Sequence, residues 1–293
     1  MFLIIHNPLS NNRKSKKNTN KVVRFFRRHH IPFILRSSLK IENLDEYLAS
    51  NASIEHILHL GGDGSINYLI NSVDITEIKQ PIYLSKSGSG NDFLRSLKQL
   101  GTGNITLSTA HTNVKDTLFI NGCGIGVDAS VCHYVNNDKR KNKLSYFKNV
   151  FKAVSAFKRI EIDLKVDGKD YHYKDAYFVS IQNGKYFGGG MKVAPNADIT
   201  DDQYEVCVAF NLNAFLLQLL FLTIYSGSHV HLKKRVAMHR GKNISVKVSS
   251  PCYFQADGEV LADVKELTVE KAKSRNLIAF QKNAIKAEFS QKK

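Results

Sequence analysis

The chain has 293 residues, 43% hydrophobic and 23% charged, a balance that excludes wholesale disorder and leaves room for two domains with separate cores. Forty-two Lys+Arg against 26 Asp+Glu leave a formal charge of +16, which points to an anionic partner: nucleic acid, an acidic membrane surface or nucleotide. Much of the excess falls in three patches, Arg13 to Arg28, Lys139-Arg140-Lys141 with Lys143, and Lys233 to Arg240. Such runs are also what solvated helix faces and loops carry.

The opening Phe2-Leu3-Ile4-Ile5-His6 is apolar, lacks a basic leader and runs into Asn7-Pro8, so it reads as a first strand rather than a signal peptide. Further strand-like runs at 33–36, 54–60 and 82–84 alternate with helical patterns at about 19–30, 42–50 and 65–73. That βαβ rhythm predicts a parallel sheet.

The run at 54–60 stops at Gly61-Gly62-Asp63-Gly64-Ser65. Glycines let successive N–H groups face one concavity, and the helix that opens at Ser65 adds its N-terminal dipole, so the junction is a candidate phosphate cradle. Asp63 would repel a bare phosphate, and its presence there suggests Mg²⁺-nucleotide. Tight strand-to-helix turns use the same residues for steric reasons alone. The run at 82–84 ends likewise at Gly88-Ser89-Gly90-Asn91-Asp92, and two such loops at one edge of a parallel sheet mark the usual ligand side of α/β folds.

From about residue 105 the pattern shifts to period two at 160–166, 176–181, 204–208, 244–248 and 267–269, as antiparallel strands require. Two helices interrupt it. Leu144, Phe147, Val150, Phe151, Val154 and Phe157 form one apolar face, and 213–226 is apolar nearly all round. Core packing accounts for both, as would the wall of an acyl-chain cleft. The apolar run is too short to span a bilayer. Cys123, Cys132, Cys207 and Cys252 lack metal-type spacing and read as free thiols of a reducing cytoplasm. Asp198, Asp201 and Asp202 crowd one loop, and Asp257-Gly258-Glu259 follows a strand. Acidic turns are commonly only turns, although a hard cation wants such oxygens.

Taken in order, the motifs resemble the soluble diacylglycerol kinase catalytic domain, shared by bacterial lipid kinases and by sphingosine and ceramide kinases. Asn7-Pro8, Gly61 to Asn67, Gly88 to Phe93, Asn121 to Ala129, Asn183 to Gly190, Ala194 to Asp202 and Asp257 to Glu259 are similar to its motifs over nearly the whole length. The resemblance implies an N-terminal Rossmann-like three-layer α/β nucleotide domain, here 1–108, followed by a β-sandwich-like lipid domain, 109–276, with the tail 277–293 returning to the first. It implies an ATP-dependent lipid kinase with Mg²⁺. Asn7, Ser37, Gly61, Gly62, Asp63, Gly64, Ser65, Asn67, Gly88, Ser89 and Asn91 would contact ATP. Asp63 and Asp92 would organise catalytic Mg²⁺, and Asp257 and Glu259 would be the base and its partner. A structural Mg²⁺ would sit by Asp202 and the carbonyls of Ile199 and Tyr204. The implied partners are ATP, a lipid alcohol and the anionic inner face of the membrane, without nucleic acid and with a homodimer left open.

This chain departs from the family pattern at Tyr68, where Glu is usual, at Ser85-Lys86-Ser87, where Pro is usual, and at Gln203, where Gly is usual. Gln would be penalised if that turn demands positive φ. An NAD kinase-like or phosphofructokinase-like enzyme would share the first loop but leave the clusters at 183–202 and 257–259 without a role; a non-catalytic member that binds nucleotide or anionic lipid as a regulator is told apart by turnover.

Overall fold

The computed structural model describes residues 1–8, 12–87, 91–138 and 143–290, with the side chains of 12–14 and 143–147 outside the description. The chain divides into two compact units, one of residues 1–105 and 273–293, the other of 106–272.

The first unit opens with β1 (Phe2–His6), α1 (Asn12–Arg28), β2 (Phe33–Ser37), α2 (Leu44–Ala49), β3 (His56–Gly61), α3 (Asp63–Ser72), β4 (Ile82–Lys86) and α4 (Asp92–Leu100). Its strands are parallel in the order β2-β1-β3-β4. Phe2, Ile4, Leu58 and Leu60 alternate onto one face and bury Val22 and Phe26 of α1. From β1 the chain moves to β2 on one side and then to β3 on the other, so the order reverses between β1 and β3. In such sheets the crevice at the carboxyl ends of these two strands is where ligands bind.

The second unit takes most of β5 (Thr102–Thr112), then β6 (Thr117–Phe119), β7 (Gly122–Gly126), α5 (Val127–Asn137), α6 (Lys143–Ala156), β8 (Ile160–Val166), β9 (Lys169–Gln182), β10 (Tyr204–Phe210), α7 (Ala214–Ile224), β11 (Val236–Gly241), β12 (Ile244–Ala256) and the first part of β13 (Glu259–Ala279). The pairs are antiparallel, and β7 and β8 each bridge β9 and β12, closing four strands around a core. Period two explains how one strand serves two cores. Tyr204, Val206 and Val208 of β10 face the strand-enclosed core, whereas Cys207 and Ala209 face α5, α6 and α7.

Gly-Cys-Gly-Ile-Gly is a poor strand by propensity, yet β7 is fully buried. A Cβ at Gly124 would stand 2.6 Å from Val179 O and one at Gly126 2.3 Å from Tyr177 O, so only glycine lets β7 lie this close to β9. The last residues of β13, Leu277 to Ala279, pair parallel with β4 in the first unit. There α8 (Lys282–Ser290) buries Ile285 in the same core as Phe2.

Candidate active site

In the first unit, Asn7, Ser37 and Gly61 lie at the carboxyl ends of β1, β2 and β3, and Asn91 precedes α4. Buried hydroxyls join the loops. Ser15 Oγ lies 2.9 Å from Ser87 Oγ and donates to Asn7 O at 3.4 Å, while the Ser87 N–H donates to Gly61 O at 3.0 Å. Ser37 Oγ accepts the Leu39 N–H. Gly88 and Ser89 lie outside the described residues.

The two outer glycines of the first loop differ in what they do. A Cβ at Gly61 would meet His59 Nε2 and Ser65 Oγ at 2.7 Å, a purely internal constraint. At Gly64 a Cβ would meet nothing within 4 Å, and its φ is not positive. Nothing in the fold requires glycine at 64, whereas a ligand approaching the first turn of α3 would.

Ser65 is held from behind by His59 Nε2 at 2.9 Å. Complete burial pushes the His59 imidazole down to about 4, so it is neutral at ordinary pH. Asn67 is buried, and Asn71 Nδ2 donates to its backbone and side-chain oxygens. Asp63 opens α3 but reaches to the next helix. Its Oδ2 accepts the Asp92 N–H at 2.9 Å and its Oδ1 the Phe93 N–H at 3.2 Å, so it caps α4. Asp92 is buried and pairs with Arg95 at 3.1 Å. A carboxylate oxygen can accept from more than one donor, and carboxylates such as Asp63 and Asp92 are the oxygen type a hydrated Mg²⁺ takes.

In the second unit, Asp257 and Gly258 are the two-residue turn of the β12–β13 hairpin, with φ of 49° and 95°, the geometry that favours Asp-Gly. Asp257 accepts three backbone N–H groups, from Ile120 at 2.8 Å and from Asn121 and Gly122 at 3.0 Å. Glu259 is exposed, and its carboxylate makes no hydrogen bond or ion pair among the described residues. Asn183 joins the next motif to the same place, donating to Ile120 O at 2.8 Å and accepting Lys271 Nζ at 2.7 Å. Motifs separated by more than 130 residues thus meet around residues 120–122.

Sequence reasoning missed Lys271, although strand parity places it on the inward face of Leu267 and Val269. Burial lowers its ammonium to about 8. It also missed the partners of Asp128. This carboxyl is buried, which raises it to about 6, and it accepts Gln255 Nε2 at 3.4 Å. A cavity of about 500 Å³ lies among α5, α6 and β12, lined by Tyr134, Ala153, Phe157, Ile160, Cys252 and Tyr253.

The acidic loop is already partnered by bases. Arg240 reaches Asp201 at 2.6 Å and Lys242 reaches Asp202 at 3.4 Å. Ile199 and Tyr204 are buried beside it. Gln203 has no positive φ, so the expected backbone penalty does not arise, and its Oε1 accepts Arg240 Nε at 2.6 Å. No group of three or more His, Cys, Asp or Glu among the described residues could hold a metal. The Asp202 pair is exposed and weak enough for a cation to displace.

Residues 1–118 match the model of the diacylglycerol kinase catalytic domain, and residues 122–273 match the YegS C-terminal NAD kinase beta sandwich-like domain. A Bacillus subtilis protein with the provisional name lipid kinase YtlR is 24% identical over 253 residues, 76% of this chain and 78% of its own. A Staphylococcus haemolyticus protein, provisionally named lipid kinase SH2167, is 24% identical over 274 residues, 86% and 83% of the two chains. The fold is shared with a crystal structure of a diacylglycerol kinase from Bacillus anthracis str. Sterne, at a TM-score of 0.68 and 18% identity, covering 95% of this chain and 96% of that one.

Proposed function

The chain belongs to the diacylglycerol kinase catalytic-domain family, and within it we propose an ATP-dependent kinase that phosphorylates the hydroxyl of a diacylglycerol-like membrane lipid. The observation that carries most weight is Gly64, a glycine at a helix N-terminus that nothing in the fold requires. It sits in the first turn of α3, which follows β3 beside the crevice where the strand order reverses.

In this reading Asn7, Ser37, Asn67, Asn91 and the loops at 61–65 and 88–89 hold ATP. Asp63 and Asp92 hold Mg²⁺, which when bound supplies charge neutralisation at the β- and γ-phosphates. Backbone N–H groups at the start of α3 face the phosphates, and His59 fixes the Ser65 hydroxyl. Asp257 fixes the turn and, with Glu259 as its partner, takes the proton of the attacking hydroxyl. The cavity beside α5 and α6, lined by Tyr134, Phe157 and Tyr253 and also by Lys158 and Asp263, would take part of the lipid. Asp202, with the carbonyls of Ile199 and Tyr204, would hold a structural Mg²⁺ in place of the Lys242 pair. The basic surface would keep the protein on the inner face of the membrane.

Gly64→Val tests the reading. The added side chain enters open space, so the melting temperature should stay near wild type while affinity for Mg-ATP falls at least tenfold. Unchanged ATP affinity would remove the loop from the nucleotide site.

A further inference from the structure

Helix α7 presents an apolar stripe outward as well as inward. Leu217, Leu220 and Ile224 are buried against the helical core, but Phe215, Leu219 and Leu222, at i, i+4 and i+7, are 65%, 45% and 71% exposed on the opposite face. A surface helix normally sets charge there, and α7 has no charged residue. Leu232 is 44% exposed just after the turn 228–231 that packs back on α7. On α6, which packs on the same core, Phe151 is 53% exposed.

The sequence flanking this helix, and that of α6, carries charge of one sign. Between Glu205 and Asp257 the sequence has six Lys or Arg and no acidic residue, and from Lys139 to Arg159 it has eight and none. Lys233 and Lys234 follow Leu232 directly, are exposed and form no ion pair among the described residues. A second copy docked symmetrically on α7 would bring these bases toward their own kind. An anionic bilayer would attract them and accept the apolar side chains below its headgroups.

We infer that α7 is the membrane-inserting element, with Phe215, Leu219 and Leu222 entering the acyl boundary of an anionic bilayer while Lys233 and Lys234 pair with its headgroups. The inference rests on the reading of the acceptor as membrane-borne, and it names which face meets the membrane. It differs from purely electrostatic attachment, because binding should persist in part when salt screens the charges.

The sequence contains no Trp, so Leu222→Trp in the full chain introduces a single indole as a reporter. With vesicles of phosphatidylcholine and phosphatidylglycerol, without ATP, its emission should shift to the blue and be quenched by bromine on the acyl chains. Phe215→Ser with Leu222→Ser should keep the wild-type melting temperature and partition on the order of 10- to 100-fold more weakly. Three results would overturn the inference: vesicle binding that leaves the introduced indole unquenched, wild-type partitioning of the double variant, or a blue shift that appears without vesicles as protein concentration rises. None involves phosphoryl transfer, so failure here leaves the kinase reading standing, and a kinase failure leaves this result intact.

Discussion

The carboxylate of Asp63, the first residue of α3, accepts the backbone N–H of Asp92, the first residue of α4, at 2.9 Å. One acid therefore fixes the spacing of two helix N-termini that follow neighbouring parallel strands. Asp63→Ala should cost roughly 1–2 kcal/mol of first-unit stability, as loss of a helix cap does. Asp63→Asn keeps one acceptor oxygen and should lose less. Both should lose Mg-ATP-dependent turnover, and denaturant melts beside turnover assays separate the two effects. Normal Mg-ATP turnover in Asp63→Asn would confine Asp63 to capping.

Asp257 and Glu259 carry unequal structural loads. Asp257 accepts three N–H groups, whereas Glu259 is exposed. Asp257→Asn should lower both the melting temperature and turnover, the latter on the order of 10² to 10⁴ if a proton acceptor is lost. Glu259→Gln should lower turnover alone. ATP affinity should stay near wild type in both. Wild-type turnover in both would refute the proton-acceptor assignment.

The contributions of His59 to the first unit and Asp128 to the second should change oppositely with acid. His59 titrates at about 4 in the folded first unit against 6.5 unfolded, so its contribution is fully present above 6.5 and is lost as pH falls toward 4, roughly 3 kcal/mol at the limit. Asp128 in the second unit titrates at about 6 folded against 3.8 unfolded. Its stabilisation is fully present below 3.8 and is lost as pH rises through 6. Hydrogen exchange read segment by segment from pH 7 to 5 should show β3 losing protection relative to β7. Asp128→Asn should flatten the second response, and parallel behaviour of the two strands would contradict the assignment.

Asp202 offers a metal test that does not depend on catalysis. If Mg²⁺ displaces Lys242 from Asp202, adding Mg²⁺ should raise the melting temperature of wild type but not of Asp202→Ala. Equal responses would leave the loop as an ion-paired turn.

Much of this arrangement is legible in the sequence because its signals are local. The βαβ rhythm of residues 2 to 84 and the period two of 160–166 mark strands whose burial is regular. Other features are hidden. The first turns of α1 carry Lys and Arg with no apolar spacing, so the helix looks shorter than it is. The glycines of β7 look like a loop until the closeness of β9 explains them. Lys271 becomes a site residue only when folding brings Asn183 to it. The exposure of one face of α7 depends on which face finds a core, which a uniformly apolar segment does not encode.

Phosphoryl transfer from ATP to a lipid hydroxyl is tested most directly by incubating the protein with ATP labelled at the γ-phosphate, Mg²⁺ and a total lipid extract, and following label into the organic phase. An organic-soluble phosphomonoester should form with wild type and be lost with Asp63→Asn. ATP binding with no label in the lipid phase would contradict the kinase assignment.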